Sequence, residues 1–480
     1  MKKNEHLEND NINIVQKSGK VENGLFIFRR DFRLIDNNGL NSMKPKCKNI
    51  YTIFIFTPEQ VSVANTYKSV NAVQFMIESL MDLSKEISKE GGKLYCFYGK
   101  NETIIPKLIE TLNIEYICFN KDYTPYALER DHKIAEICQK RKIMLDIVPD
   151  YYLHEPETIF SGSGKPYQKF TPFYEACLKK RVEEPKKSQS FSLQKNNKQM
   201  ENKITLEEAY RKFVGKTNPN IVIEGGRDNA LKKLREAMKT QKHYEPTHND
   251  LNYQTSELSA PIKFGCLSIR EVYKAFHGNK AFVRQLIWRD FYMNILYFFP
   301  YSLKGPMKPS YKKIHWHRSV SHLEAWKKGL TGFPVVDAGM RQMLCTGYMH
   351  NRARLIVSSF LVKTLLINWQ EGERFFAQKL VDYDPASNNG NWQWTAGTGA
   401  DSQPYFRIFN PWNQAEEYDP DCQYIKKWIP ELREIPTEDI LDWQEKCVEY
   451  RKKGIKYPCP IVDYSKQKEL ALTMYSSVFH

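Results

Sequence analysis

What the sequence lacks removes several classes of protein at once. No apolar run in the 480 residues approaches the length of a membrane span. The opening residues, MKKNEHLENDNINIVQKSGK, have no apolar core. That argues against a secretory leader and predicts a disordered tail over 1–22. The ten cysteines never fall in a CxxC pair, and their scatter suggests neither a disulfide framework nor a zinc site. Free thiols in a reducing compartment are expected, so the chain should be intracellular, cytoplasmic or nuclear, and not secreted. No metal-ligand spacing occurs among the histidines; His315 and His317 merely flank Trp316. No GxGxxG follows the first strand, so a dinucleotide in the usual Rossmann position is not indicated. SGSGK (Ser161–Lys165) lacks the spacing of a phosphate loop. There are no internal repeats. Acidic residues are in short supply, 56 against 71 Lys and Arg, giving a formal charge of +15. Such a surplus suits a polyanion, nucleic acid first, although lysine-rich composition alone also produces it.

What is present divides the chain in two. Strands are predicted at 24–28, 49–56, 93–98, 116–120 and 144–148, with helical periodicity at 71–90, 101–112 and 126–139 between them. This alternation predicts a Rossmann-like, doubly wound parallel-sheet α/β domain over 23–150. The region 151–224 reads as a connector, polar and exposed in its Arg181–Thr217 part. From there to residue 480 the pattern is all-helical, with helices expected at 265–276, 281–299, 322–328, 335–346, 350–368 and 372–379.

Chemistry gathers in the helical half, above all between Thr331 and Gln414. Thr255, Ser256, Glu257, Leu258 and Ser259 form a hydroxyl-rich turn, suited to phosphate oxygens or to capping a helix. Gln285, Trp288, Arg289 and Tyr292 share one helical face. Asn351 and Leu355 share another, flanked by Arg352 and Arg354; Arg suits phosphate, Asn the edge of a base or a flavin. Asp382 and Asp384 sit in an Asp-Tyr-Asp-Pro loop before Asn388. They could accept from ribose or ring N–H groups, or pair with an arginine such as Arg354, and no third carboxylate or histidine completes a metal site there.

Taken together these segments resemble the photolyase/cryptochrome family of FAD-binding blue-light proteins. LFIFRRDFRLIDN is similar to its opening strand and RxDLRLxDN turn, and TSELSAPIKFGCLS to its TSxLSPYLxFGxxS turn. RQLIWRDFY, TGFPVVDAGMRQ, TGYMHNRARL, LLINWQEGERFF, DYDPASNNGNWQW and PYFRIFNPWNQ follow in the family's order. The resemblance implies an antenna domain, then a helical domain holding FAD, active as FADH⁻, in a folded conformation. It assigns flavin contacts to Tyr244, the turn Thr255–Ser259, Arg289, Asp382, Tyr383, Asp384 and Asn388, with Asn388 at flavin N5. Trp392, Trp369 and Trp316 match an electron-transfer chain, in that order outward. HNRAR and NNGNWQW resemble the class I members that repair cyclobutane pyrimidine dimers. The implied activity is that of a deoxyribodipyrimidine photo-lyase, a carbon–carbon lyase acting as a monomer on UV-damaged DNA. Gln285, Trp288, Asn351, Arg352, Leu355, Trp394 and Asn413 would meet the flipped lesion or its strand. A (6-4) photolyase would carry two histidines where this chain has Asn351 and Leu355. A signalling cryptochrome commonly has a long C-terminal tail, whereas this chain ends soon after its last expected helix. Gln285 and Leu355 depart from the class I pattern, which has Glu and Met there. A second, antenna chromophore of folate or deazaflavin type is implied without an identity, since Tyr126 and Ala127 stand where folate-binding members carry Asn-Glu.

Overall fold

In the computed structural model, residues 19–478 other than Ser188 are described. The expected disordered tail therefore lies, for residues 1–18, outside the described residues, and ordered chain begins ahead of residue 22. Five strands, β1 (Val21–Phe28), β2 (Cys47–Phe56), β3 (Leu94–Tyr98), β4 (Tyr116–Asn120) and β5 (Met144–Val148), form one parallel sheet in the order β3-β2-β1-β4-β5. Parallel strands need crossovers, and helices including α1 (Val70–Lys89) and α2 (Pro125–Arg141) supply them. One face of the sheet buries Phe26, Phe28 and Phe54, the other Leu25, Ile27 and Ile53. Covered on both sides, these strands read as continuous apolar runs in the sequence.

The Arg181–Thr217 segment is exposed over most of its length, as its polarity suggests, but it is anchored to the sheet. Phe191, Leu193 and Met200 are buried. Ile50 N–H donates to Ser192 O and Gln194 N–H to Ile50 O, while Lys203 bridges antiparallel to Phe97. The segment thus covers the β3 edge of the sheet, satisfying backbone groups an open edge would expose.

The helical half contains α3 (Lys280–Phe298), α4 (Pro334–Thr346), α5 (Asn351–Ser359), α6 (Trp369–Lys379), α7 (Pro385–Ala396) and α8 (Pro411–Tyr418). The helix expected over 350–368 is shorter: α5 passes into a π-helical turn, Phe360–Thr364, before the chain bends. The helix expected over 265–276 starts only at Ile269, where Ser268 and Glu271 form a capping box. No helix among the described residues is long and apolar enough to cross a membrane.

Gly265 ties the two halves together. It holds φ +66°, and a Cβ there would lie 2.3 Å from Arg30 O. Only glycine allows both the left-handed turn and the close approach. Beside it Phe32 N–H donates to Phe264 O and the Arg33 guanidinium to Gly265 O. The RRDFR turn of the sheet half is thereby seated on the KFG turn of the helical half.

The expectation of ten free thiols is corrected. Cys447 and Cys459 form a disulfide with Cα atoms 5.3 Å apart, leaving eight free. Their spacing carries no signal; the turn between them is closed by Trp443 Nε1–H donating to Pro458 O at 2.9 Å. Gly332 then packs on Cys459, where a Cβ would stand 2.3 Å from backbone.

Candidate functional site

The site is built on three helix starts. His350 caps α5, its ring Nδ1 accepting from Arg352 N–H at 3.1 Å. Burial, then Arg352 and Arg354, lower the His350 pKa to about 4. The ring is therefore neutral near pH 7 and free to accept. Its folded pKa lies below the unfolded value of about 6.5. The stability it contributes is present above the unfolded pKa and is lost as pH falls toward the folded one. We expect wild type to lose about 2–3 kcal/mol through this group between roughly pH 7 and pH 4.5. His350→Asn should show a shallower acid limb over that range in urea melts; parallel limbs for the two proteins would contradict the assignment.

The second start is α7, which begins where the Asp-Tyr-Asp-Pro loop ends and is not among the expected helices. Asp384 is the N-cap, accepting from Ser387 N–H at 3.0 Å, and Pro385 opens the first turn. Burial opposes ionisation of Asp384, but Arg30, Arg289 and Lys263 outweigh it and hold its carboxyl below the usual range. Asp382, just outside, receives Arg354 at 2.9 Å and Ser259 Oγ at 2.7 Å on Oδ2. The open alternative of an Arg354 partner is therefore the one realised. Asp382 Oδ1 is buried with no hydrogen-bond partner. One turn on, Asn388 donates to Glu373 O at 2.9 Å, which leaves its carbonyl end for the cavity.

The third start is α6, with Trp369 at its first position. Gly372 lies under Trp392, where a Cβ would stand 2.1 Å from the indole.

These elements enclose a cavity of about 100 Å³, with Asn351, Arg354, Leu355, Asp382, Tyr383, Asp384, Asn388 and Trp392 in its wall. A buried acceptor without a donor, a guanidinium and a carboxamide suit the alternating N–H and C=O edge of a flavin ring, so the donor set fits FAD. The other expected contacts lie outside that cavity. Thr255 Oγ1 faces Tyr348 OH at 2.9 Å, and Ser256 is half-buried. Glu257 has φ +53° and pairs with Lys233 at 2.6 Å. Leu258 is a core residue at 1% exposure. Its side chain, and the Glu257 carboxylate, are thus committed elsewhere. Arg289 donates to Tyr151 O at 2.6 Å and lies over Tyr152, and Tyr244 stacks on His248 at 5.1 Å.

Of the expected lesion contacts, Gln285 and Asn413 are exposed, and Trp394 is half-buried late in α7. Trp288 lies flat on Phe170 at 3.7 Å, so one indole face is already covered. Arg352 is held by Asn249 Oδ1 at 2.7 Å and lies over Tyr418. Asn389 and Gln393, which sequence places in the same polar string as Asn388, serve packing instead. Both donate to Ser302 O, at 3.2 and 2.9 Å. Trp392 and Trp369 are each 2% exposed, whereas Trp316 is half-buried. His317 N–H donates to Leu366 O at 2.8 Å, which brings the Trp316 segment to the turn preceding Trp369. Besides Phe376, the ring of Trp326 packs against Trp392, 6.2 Å away, and no sequence signal singled it out.

A larger cavity, about 530 Å³, opens at the carboxyl ends of β1 and β2. Arg29, Arg30, Thr57, Tyr67, Asp122, Tyr126, Ala127, Lys263 and Tyr383 are in its wall. It adjoins the β1–β4 boundary where the strand order reverses, the usual ligand position of a doubly wound sheet. Tyr383 belongs to both cavities.

Two family patterns match the chain: "DNA photolyase" over residues 25–189, and "FAD binding domain of DNA photolyase" over 282–477. The chain therefore carries an FAD-binding domain. A deoxyribodipyrimidine photo-lyase of Alkalihalophilus pseudofirmus is 34% identical over 470 residues, covering 93% of this chain and 96% of that one. Among solved structures, an archaeal photolyase from Sulfolobus tokodaii with two FAD molecules is 37% identical, with TM-score 0.86 over 95% of this chain and 100% of that one. A bacterial class III photolyase from Agrobacterium tumefaciens is 31% identical, with TM-score 0.88 over 97% and 99%. With a sheet domain and a flavin domain matched in one order, and relatives aligned over nearly their whole length, the chain belongs to the DNA photolyase family.

Proposed function

We propose that this chain is a light-driven lyase that splits cyclobutane pyrimidine dimers in UV-damaged DNA, working as a monomer. The observation that carries the reading is the smaller cavity itself. Its floor holds the unpartnered Asp382 Oδ1 and buried Asn388, while its rim carries exposed Asn351. One ligand can sit at the floor and another meet it from outside. Full-length relatives named as deoxyribodipyrimidine photo-lyases support the same reading.

Reduced FAD, excited by blue light, supplies the electron that opens the dimer and takes it back. The protein's part is positional. Asp382, Arg354 and Asn388 would hold the flavin ring through its N–H and C=O groups. Ser259, Thr255 and Ser256 serve the pyrophosphate from outside the cavity. Leu355 keeps the space between flavin and lesion apolar and dry. Gln285, Asn351, Arg352, Trp288, Trp394 and Asn413 receive a base pair already weakened by damage, which lowers the cost of flipping it out. Trp392, Trp369 and Trp316 would carry electrons from the surface to the flavin. We assign the sheet domain to 23–150, the connector to 151–224 and the flavin domain to 225–480.

The larger cavity takes the second chromophore. Tyr126 and Ala127 lie in its wall, without the Asn-Glu pair of folate-binding members. A flavin-type ligand is the better fit, as in the two-FAD relative.

Lesion choice is tested with matched duplexes carrying either a cyclobutane dimer or a (6-4) photoproduct. Light-dependent loss of the first alone is expected; loss of the second alone would move the chain to the other branch. DNA affinity should fall steeply with salt, by about 10³-fold between roughly 50 and 200 mM if six phosphates are contacted. A flat response in a fluorescence-anisotropy titration would remove the basic surface from the account.

A further inference from the structure

Arg30 stands at the position the RxDLRLxDN pattern leaves open, yet it is the side chain that joins the two cavities. It lies in the wall of the larger one. Its Nη1 meets Asp384 Oδ2 of the smaller one at 3.1 Å, across 354 positions of sequence. Its Nε lies 3.5 Å from Asp122, which also lines the larger cavity. Nη2 donates to Tyr152 OH at 2.9 Å. The Arg30, Asp384 and Asp122 side chains are only 13%, 11% and 10% exposed. One guanidinium, fixed by the Gly265 contact with its own backbone, is thus stretched between a carboxylate of each cavity.

Asp384 does two things at once. One oxygen caps α7 and the other takes Arg30. The helix it starts carries Asn388 and Trp392, both in the flavin cavity. Lys263 lies in the wall of the larger cavity and also faces Asp384 and Asp382; burial lowers its pKa to about 8. Any occupant of the larger cavity that pulls on Arg30 therefore changes the hold on the start of α7.

We propose that Arg30 is a positioning residue that holds Asp384 and couples the two cavities, so that a ligand in the sheet-domain cavity changes how firmly the flavin domain keeps its FAD. The coupling is reciprocal, as linkage between binding sites requires. The inference rests on the reading that FAD occupies the smaller cavity.

The test uses purified FAD-loaded protein and FMN as the probe for the larger cavity, with FAD release followed by its rising fluorescence. In wild type, saturating FMN should change the FAD release rate by about fivefold or more. Arg30→Gln, which keeps hydrogen bonding and loses charge, should release FAD faster without FMN and lose the FMN effect, with circular dichroism unchanged. Arg30→Lys can pair with only one carboxylate at a time. It should restore FAD retention but not the FMN effect, a split that a merely structural role would not give; it also carries the test if Arg30→Gln does not fold. No FMN effect in wild type, or one that survives in both variants, overturns the proposal. Full FAD retention by Asp382→Ala would instead show that the site reading has failed, and the proposal with it.

Discussion

Asp382→Ala should purify largely without FAD. The wild-type carboxylate accepts from Arg354 and Ser259 on one oxygen and keeps the other buried and unpartnered. A charge-assisted hydrogen bond to a ligand N–H is worth about 1.5–3 kcal/mol. Its loss lowers FAD affinity by about 10- to 150-fold. The variant also strands Arg354, so the melting temperature should drop even without flavin. Asp382→Asn, which keeps the shape and loses the charge, should fall between the two. The ratio of 450 nm to 280 nm absorbance in the purified proteins reads this directly, and equal ratios in all three would remove Asp382 from the flavin site.

Trp392→Phe should separate recharging from repair. Trp392 is buried in the flavin cavity wall, packed on Gly372 and edge-on to Phe376 at 5.0 Å. Phenylalanine fills most of that space but does not give up an electron as readily as indole. Light-driven reduction of the bound flavin with an external thiol should slow by at least about tenfold, or about 1.4 kcal/mol in barrier terms. Protein reduced chemically beforehand should repair as wild type does. An unchanged photoreduction rate would exclude Trp392 as the first donor and turn attention to Trp326, whose ring touches the same cavity wall residue.

The sheet was the most legible part of the fold. β4 and β5 lie at their expected bounds, and β1 and β2 only begin earlier, at Val21 and Cys47. Strands buried on both faces announce themselves as apolar runs, and the turns between them carry their own caps. α7 is absent from the expected helices, and its Asn and Gly residues are weak helix formers. Tertiary bonds override that preference: Asn389 and Gln393 are held by Ser302 O, and Gly390 sits against Tyr292. The one local signal was Asp384 followed by Pro385, a cap and a first-turn proline. The connector is exposed over most of its length, as expected, but it is anchored at a few points. A mostly polar segment can still close a sheet edge through its backbone, with Phe191 and Leu193 as anchors.

Within the site, Asp382, Asp384, Asn388, Asn351, Leu355 and Trp392 were legible through their motifs and do share one cavity. Leu258 and Glu257 were carried into the site by their neighbours in the same motif, but their side chains belong to the core and to Lys233. Arg30 had no signal, because its partner lies in a different domain and nothing in either local sequence names the other.

Repair itself can be followed in solution. The protein is purified with its flavin, reduced under nitrogen, and mixed with an oligonucleotide carrying a single thymine cyclobutane dimer. Half is lit with blue light and half kept dark, and dimer loss is followed by chromatography. Dimers should disappear under light, with intact thymines regenerated, and persist in the dark. Persistence of the dimer under light, in protein that retains reduced flavin and binds the damaged strand, would contradict the proposed repair.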